Sequence, residues 1–437
     1  MRRHVPAKKL DLVLFGATGF TGRQTLTHLA RHVPPGFKWA IAGRNREKLE
    51  AMLPLCSYAA TAPEIRIADS TDQKSVDTLV AATHAIIQLA GPYGTTGESF
   101  IAAAAVNGTH YVDLTGEIGW VAQMTARHGA TAMASKAKII PVCGFEALPF
   151  DIAALLIATR LKTTTGERAH AIELINRFTG PATFRPRDVL SGGTMASIIA
   201  MLEDGAGASL NDPAVLVDDH ALAERIRDFG RYDFRARFSD DVDAWLAPTV
   251  PAPFVNPPVV YRTMSQLAGN KTSPFAAECR YTEALSTRGM APFAIGQRVV
   301  AETLARSFTA MAKSVDRNGA VDQLGRAAIK QLMGWFGPKP GQGPSDKHLE
   351  QSGYTIHMKA SAASGESAVG EATAQGHPGY RSTAMLIAEA GLLLAGAGAD
   401  GCAALPRRSG FLTPASAFGA DSEPAWARAG LVFAFAK

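Results

Sequence analysis

The sequence has few cysteines, and none stands in a metal-binding or redox spacing. Its four cysteines are far apart in the chain: Cys56, Cys143, Cys279 and Cys402. The 11 histidines are scattered and form neither an HExxH motif nor a cysteine–histidine cluster. We therefore expect no metal site, and reduced thiols in a cytoplasmic protein. His28 and His32 are one helical turn apart, and we expect them on a solvated helix face.

Concentrated basic charge and long hydrophobic runs are also missing. The formal net charge is +5, but the basic residues are spread along the chain without interleaved aromatics, which disfavours nucleic-acid binding. The most apolar late stretch, residues 383–399, contains Glu389 and several glycines, so it predicts a buried helix rather than an integral membrane span. The basic N-terminus has no small-residue cleavage site, so we expect no signal peptide.

Two catalytic signatures are absent as well. There is no GxSxG nucleophile motif, and none of the 8 tyrosines is followed by a lysine four residues later. The second absence disfavours the Tyr-x-x-x-Lys chemistry of short-chain dehydrogenases, although their glycine turn can look similar.

The organising feature of the sequence is a glycine-rich turn near its start. The apolar run LDLVLF, residues 10–15, is followed by Gly16, Gly19 and Gly22 and then by a segment suited to a helix. Strand, tight turn and helix form the context in which such glycines let a pyrophosphate approach the backbone at the helix N-terminus. We therefore predict a dinucleotide-binding unit.

The end of the second apolar strand, FKWAIAG, indicates which dinucleotide binds. The next residues include Arg44, Arg46 and Lys48, and no acid stands at the strand end itself, although Glu47 is close. An acid there would bind a ribose 2′-hydroxyl, whereas arginine accommodates a 2′-phosphate. The sequence therefore favours NADP(H) over NAD(H).

Further candidates stand at the ends of the following strands, where open parallel sheets place their ligands. EIRIAD ends at Asp69, and HAIIQLAGPYG ends in a turn that contains Gly91, Pro92 and Tyr93. Tyr93 is either a proton donor or a wall of the nicotinamide pocket. A fifth strand ends near Asp113, Thr115 and Glu117, and Glu117 is either an acid–base residue or the cap of the following helix.

The length of 437 residues and the hydrophobic content of 47% predict a globular protein with two domains. Alternating strands and helices predict an α/β fold, a Rossmann-type doubly wound parallel sheet with a second α+β substrate domain. We expect the NADP-binding domain at residues 1–160, completed by residues 376–437, and the substrate domain at residues 161–375. In the turn after the sixth strand, Phe145, Glu146 and Pro149 should face the crevice.

Within the second domain, AHAIELINRF and VVYRT resemble strands, and two alternating runs after residue 352 predict a hairpin. Residues 334–346 are rich in glycine and proline and predict an exposed loop or lid. A helix should open at four residues that either hold a substrate anion or carbonyl oxygen or serve as an N-cap: Ser191, Gly192, Gly193 and Thr194.

These stretches together resemble the saccharopine dehydrogenase-like oxidoreductases, in particular the branch that contains trans-acting enoyl reductases. The matching segments include LFGATGFTG, AIAGRNREKL, QLAGPYGTTGE, NGTHYVDLTGE, SGGTMAS, GPKPGQGPS and HPGYRSTAMLIAEA. Where the family usually has GFDSxPSD, this chain has GFEALPFD, with departures at Glu146, Ala147 and Phe150. The resemblance implies dinucleotide contacts at Gly16, Thr18, Gly19, Phe20, Thr21, Gly22, Arg44, Gly91, Pro92 and Tyr93.

The resemblance implies an NADPH-dependent reductase of an unsaturated acyl thioester carried by coenzyme A or an acyl carrier protein. Tyr93 is the first candidate for proton donor or oxyanion partner, Glu117 is the second, and residues 191–194 would anchor the substrate. One alternative is a saccharopine-type imine dehydrogenase, for which Arg177, Arg185 and Arg187 are available to bind carboxylates. Another is a binding protein that senses NADPH without turnover. A homodimer is among the states that the sequence allows.

Overall fold

The computed structural model describes residues 8–180, 211–249, 253–315 and 344–436. Its first sheet has seven strands in the order β13-β6-β5-β4-β1-β2-β3, and every neighbouring pair is parallel. The strands are β1 Leu10–Phe15, β2 Trp39–Gly43, β3 Glu64–Ile67, β4 Thr83–Gln88, β5 His110–Asp113, β6 Lys138–Ile140 and β13 Gly410–Phe411. This sheet confirms the predicted Rossmann-type class.

Helices cover both faces of this sheet. They are α1 Phe20–His32, α2 Arg46–Glu50, α3 Gln73–Ala81, α4 Tyr93–Asn107, α5 Ile118–Ser135 and α6 Leu148–Thr165. The central strand β1 shows why a doubly wound sheet forms. Leu12 and Leu14 join one buried cluster while Val13 and Phe15 join another, so the strand is apolar on both faces.

The second sheet also has seven strands, in the order β14-β12-β11-β7-β10-β9-β8. These are β7 Ala169–Thr179, β8 Arg237–Ser239, β9 Ala244–Ala247, β10 Phe275–Ser286, β11 Gly353–Ser361, β12 Ser367–Gln375 and β14 Leu431–Phe435. Strands β7 and β10 are parallel and the other pairs are antiparallel, so this is a mixed sheet. The predicted hairpin is confirmed as β11 and β12.

The later helices are α7 His220–Phe229, α8 Asn256–Leu267, α9 Phe293–Val315, α10 Asp346–Gln351, α11 Thr383–Leu394, α12 Pro414–Phe418 and α13 Glu423–Arg428. The interpretation of VVYRT as a strand is wrong, because these residues lie in α8. Pro257 and Pro258 occupy the first turn of that helix, where proline is well tolerated. Val259, Val260 and Tyr261 are buried there, so helix packing overrides the strand propensity of the β-branched pair.

The chain returns to the first sheet after β12. Helix α11 packs against α1, β4 and β5, and a side chain at Gly391 would overlap Ile87 of β4 at 2.4 Å. Strand β13 then pairs with β6, but β14 pairs with β12 of the second sheet. The proposed domain boundaries stay a prediction, and residues 431–435 differ from them in lying in the second sheet. No helix in the described part of the chain is long and apolar enough to cross a membrane.

A buried ionic cluster fixes the returning chain to α1. Glu389 is fully buried, accepts a bidentate pair of hydrogen bonds from Arg428 and lies 2.7 Å from His28 Nε2. Burial alone would raise the pKa of Glu389, but the hydrogen bonds from His28 and Arg428 lower it. The expectation of a solvated face is therefore wrong for His28, which is 6% exposed because α11 covers this side of α1.

Candidate dinucleotide and active site

The glycine turn at the end of β1 is defined by a left-handed backbone conformation and by close packing on α1. Gly16 has φ +92, and its N–H donates to Ala42 O at 3.1 Å. A Cβ atom at Gly22 would lie 2.1 Å from Gly16 O, whereas one at Gly19 would meet the same oxygen at 3.4 Å. Gly16 therefore supplies a left-handed backbone conformation and Gly22 a close helix–turn contact, and Gly19 is under weaker steric constraint.

The turn leads directly into the N-terminus of α1. Gly19 is the N-cap, no side chain caps the helix, and its first turn contains no acid. The first N–H groups of a helix have no partner within the helix, so the backbone from Phe20 to Gly22 can bind an anion. The Arg23 side chain fixes the turn before the helix by donating a hydrogen bond to Thr18 O at 3.1 Å. The structure thus places Thr18, Phe20 and Thr21 around this helix end.

Arg44 and Asp69 follow neighbouring strands, β2 and β3. Arg44 is exposed, and its positive charge contributes to lowering the pKa of Asp69. The largest contributions to that lower pKa are two hydrogen bonds that Asp69 Oδ1 accepts from the backbone N–H and hydroxyl of Thr71. Arg44 forms no ion pair within the part of the chain that the structure describes, and it follows β2, the strand next to β1, while Asp69 is partly used in its own turn.

Glu117 lies under the N-terminus of α4. Its two carboxylate oxygens accept the backbone N–H groups of Tyr93 at 3.1 Å and of Gly94 at 2.8 Å. The residue is 5% exposed, and its own N–H donates to Thr115 Oγ1. A carboxylate at this position satisfies helix N–H groups and interacts favourably with the helix dipole. The Glu117 side chain thus caps α4 and makes no capping hydrogen bond to α5, the helix that follows it in sequence.

The side chain of Tyr93 is enclosed behind the same turn. Its hydroxyl donates to Gln88 O at 3.3 Å and accepts the N–H of Leu114 at 3.2 Å. Burial raises its pKa well above the ordinary tyrosine value, and the nearby Asp113 charge raises it further. The structure brings Tyr93 and Glu117 together, next to Gly91 and Pro92, with their polar atoms directed at backbone groups.

Asp113 organises the adjoining strand ends. Its Oδ1 accepts the N–H groups of Thr115 and Val142, and its Oδ2 accepts the Tyr111 hydroxyl at 2.8 Å. Burial raises the pKa of Asp113 to about 7. This fully buried carboxyl therefore connects the loops that follow β5 and β6.

The loop between β6 and α6 joins this crevice to the second sheet. Phe145 is buried against Phe178 and Tyr354 of β7 and β11, so the expectation that it faces the crevice is wrong for this residue. An aromatic ring at this junction is more stable packed between the sheets than exposed to water. Ala147 N donates to Asn256 Oδ1 at 2.8 Å. Burial raises the pKa of Glu146.

A second segment approaches α1 from the far end of the chain. Tyr380 packs edge-on against Phe20 with ring centroids 5.3 Å apart, and it also contacts the His377 ring. The following Thr383 accepts Phe145 N and donates to Pro378 O. The sequence signal for this contact is the HPGYRST motif, which leads directly into α11.

Several predicted positions are not part of the described structure. Residues 191–194 lie outside the described residues, as do Arg185, Arg187 and most of the proposed lid at residues 334–346. Arg177 is described and lies on β7 opposite Thr355.

Comparisons with known proteins find similarity both in the first domain and over most of the chain. The family described as "Saccharopine dehydrogenase NADP binding domain" matches residues 12–139. A trans-acting enoyl reductase of Mycobacterium tuberculosis is 30% identical over 421 residues, which is 94% of each chain. One from Mycobacterium ulcerans is 28% identical over 430 residues, again 94% of each chain. The solved structure of saccharopine dehydrogenase from Saccharomyces cerevisiae has a TM-score of 0.51 and 12% identity, and the match covers 98% of this chain and 99% of that one.

The parallel sheet, the glycine turn and the matched domain define an NAD(P)-dependent oxidoreductase whose cofactor is NADP(H). The similarity continues through the second sheet and the returning C-terminal segment. The chain belongs to the trans-acting enoyl reductase family of saccharopine dehydrogenase-like oxidoreductases.

Proposed function

We propose that this protein reduces the C=C bond of an α,β-unsaturated acyl thioester carried by coenzyme A or an acyl carrier protein. The observation that carries the proposal is 30% identity across 94% of the chain to proteins named trans-acting enoyl reductase. When bound, NADPH would supply a hydride to the β carbon, and a proton from water would add to the α carbon, so that the products would be the saturated thioester and NADP⁺.

The backbone from Gly16 to Gly22 would hold the pyrophosphate, with Thr18, Phe20 and Thr21 beside it. Support for this role comes from the uncapped start of α1 and the close packing at Gly22. Arg44 would bind the 2′-phosphate, because it is a free cation at the end of β2. Asp69 would lie beside it, and Gly91 and Pro92 would border the nicotinamide half of the crevice.

Tyr93 and Glu117 would position the turn between β4 and α4. The hydroxyl of Tyr93 already has two backbone partners, and both oxygens of Glu117 accept N–H groups of α4. Proton transfer by either group would require one of these hydrogen bonds to break. Their proposed contribution is therefore a rigid wall that holds the acceptor carbon near the nicotinamide.

The test is NADPH oxidation by the purified protein with a panel of 2-enoyl thioesters of coenzyme A and of an acyl carrier protein. We expect consumption of NADPH, little activity with NADH, and the saturated thioester by mass spectrometry. With deuteride at the transferred position of NADPH, the label should appear at the β carbon. Tyr93→Phe tests the wall role and should lower kcat less than about tenfold, whereas loss of a general acid costs about 100-fold or more.

An imine panel, made from a 2-oxo acid and an amino acid, is run alongside the thioesters. Reduction of the imines but not of the thioesters would contradict the proposal and favour a saccharopine-type reaction. Tight NADPH binding without reduction of either panel would instead favour a sensing role.

A further inference from the structure

A cavity of about 430 Å³ lies against the second sheet, away from the glycine turn. The neighbouring strands β7, β10 and β11 form one wall, and the loop at residues 230–234 together with Thr249 forms the other. Its volume falls in the range of small-molecule sites in proteins.

Three buried polar atoms belong to residues that line this cavity. Tyr232 OH makes no hydrogen bond with any described residue, and Glu283 Oε1 and Thr249 Oγ1 have no well-formed partner there, although the Thr249 hydroxyl is close enough to Glu283 to lower its pKa. The other carboxylate oxygen, Glu283 Oε2, accepts the Tyr281 hydroxyl at 2.7 Å and Asn256 Nδ2 at 2.9 Å. An unsatisfied buried polar group costs about 1–3 kcal/mol, so several facing one cavity indicate a polar ligand.

The electrostatic state of the interior favours a neutral hydrogen-bonding partner. Burial raises the pKa of Glu283 to about 7. This rise is smaller than burial alone would cause, because hydrogen bonds from Asn256 and Tyr281, together with the nearby Thr249 hydroxyl, lower the pKa. Burial also raises the pKa of Tyr232 well above its ordinary value. Hydroxyl and amide groups of a ligand can each donate or accept hydrogen bonds, so they can bond to Glu283 and Tyr232 whether or not Glu283 is protonated.

Four cationic side chains line the cavity, Arg231, Arg237, Arg280 and Lys359, together with the acids Glu173 and Asp233. Arg237 pairs with Glu173, Lys359 pairs with Asp241, and Arg231 lies 3.7 Å from Asp228. Arg280 forms no ion pair within the described ranges, so it offers an uncompensated guanidinium to an anion.

One side chain connects the wall of this cavity to the loop that follows β6. Asn256 donates to Glu283 in the cavity wall, and through Oδ1 it accepts the N–H of Ala147 in the loop after β6. That loop follows a strand whose carboxyl end borders the crevice. Asn256 therefore couples the cavity wall at Glu283 to the loop after β6.

We propose that this cavity binds the phosphopantetheine arm of the acyl substrate, with the phosphate at Arg280 and the hydroxyl and amides near Glu283, Tyr232 and Thr249. The inference rests on the proposed thioester substrate. The polar interior does not suit the acyl chain, which would occupy another part of the crevice. Coenzyme A and an acyl carrier protein share this arm, so the site accepts either source.

The first test measures binding without requiring turnover. Titration calorimetry of the full chain, saturated with NADP⁺, compares 4′-phosphopantetheine with pantetheine. We expect the phosphorylated compound to bind about tenfold more tightly, because one charge-assisted contact of a phosphate has about this value. Arg280→Ala should remove most of this advantage and leave pantetheine binding unchanged. The control is Arg225→Ala, which removes an exposed arginine paired with Glu278 and outside the cavity.

A second variant examines the interior. Tyr232→Phe keeps the ring that stacks on Phe234 but removes the unpartnered hydroxyl. We expect weaker binding of both compounds and no loss of stability in the ligand-free protein, since no hydrogen bond is broken. The proposal would be overturned by equal binding of the two compounds, by an equal effect of Arg225→Ala, or by tighter binding of glutamate or another amino dicarboxylate.

A kinetic comparison separates this proposal from the reductase proposal. With enoyl-coenzyme A and with an enoyl-loaded carrier protein, Arg280→Ala should raise KM with little change in kcat. For an enoyl thioester of unphosphorylated pantetheine, KM should be unchanged. If no thioester is reduced but the phosphate preference and its loss in Arg280→Ala are observed, the binding site stands and the proposed reaction fails.

Discussion

Glu117→Gln tests most directly what holds the turn between β4 and α4. The carboxylate accepts two backbone N–H groups, from Tyr93 and Gly94, in a setting that is 5% exposed. Glutamine retains one acceptor oxygen and places an NH₂ group where the other oxygen stood. That NH₂ group cannot accept an N–H, so one helix N–H loses its partner.

The expected loss of stability follows from these contacts. A hydrogen bond to a charged group contributes about 1.5–3 kcal/mol. The favourable interaction of the carboxylate with the start of α4 adds about 0.3–1 kcal/mol. We therefore expect Glu117→Gln to lower the free energy of unfolding by about 3 kcal/mol, with kcat reduced less than about tenfold in the protein that remains folded.

The assay is urea unfolding followed by circular dichroism, together with kcat from the reductase assay. The matched control is Glu98→Gln, the same substitution on α4 at a half-buried residue that pairs with Arg127 and His128. A solvent-accessible pair contributes about 1 kcal/mol or less, so the control should shift the midpoint much less. If Glu117→Gln leaves the unfolding midpoint unchanged but lowers kcat by about 100-fold or more, the capping explanation is refuted and Glu117 acts in proton transfer.

Three further predictions concern the nucleotide-binding domain. Gly22→Ala should lower both the melting temperature and NADPH affinity, because the new Cβ would lie 2.1 Å from Gly16 O. Gly19→Ala should have a smaller effect, because its Cβ would lie 3.4 Å from the same atom. Equal effects of the two substitutions would contradict this reasoning. Arg44→Ala should raise the NADPH Kd by about tenfold or more in a fluorescence titration while the NADH Kd stays constant, and an unchanged NADPH Kd would remove the 2′-phosphate role. Burial raises the pKa of Asp113 to about 7, above its value in the unfolded chain. Folding therefore favours the protonated carboxyl, and the free energy of unfolding falls as pH rises from about 5 to about 8. Asp113→Asn should reduce that fall by about 3 kcal/mol in denaturation measured at both pH values, and an identical pH dependence in the variant would refute the assignment.

Local patterns in the chain were sufficient to predict the nucleotide-binding fold. A strand that is apolar on both faces must be covered on both faces, which β1 shows with Leu12 and Val13 in different clusters. The glycines at 16 and 22 are required by a backbone angle and by a contact within a short span of chain. The cations after β2 are likewise adjacent in sequence, so the preference for NADP(H) could be inferred before the structure was known.

Other features depend on contacts between residues far apart in sequence. The segment VVYRT has strand-forming residues, yet it is helical because two prolines begin the helix and its surroundings bury it. The spacing of His28 and His32 predicted a solvated helix face. His28 is instead buried against Glu389 of α11, which Arg428 of α13 also contacts.

The candidate site divides in the same way. The sequence by itself predicted the glycine turn as a phosphate-binding turn and placed Tyr93 and Glu117 at strand ends. Only the tertiary structure decided that Glu117 caps α4, and that Glu283 and Tyr232 face one cavity. The physical reason is that a backbone turn is specified by nearby residues, whereas the burial and hydrogen bonds of a side chain depend on every element that packs around it.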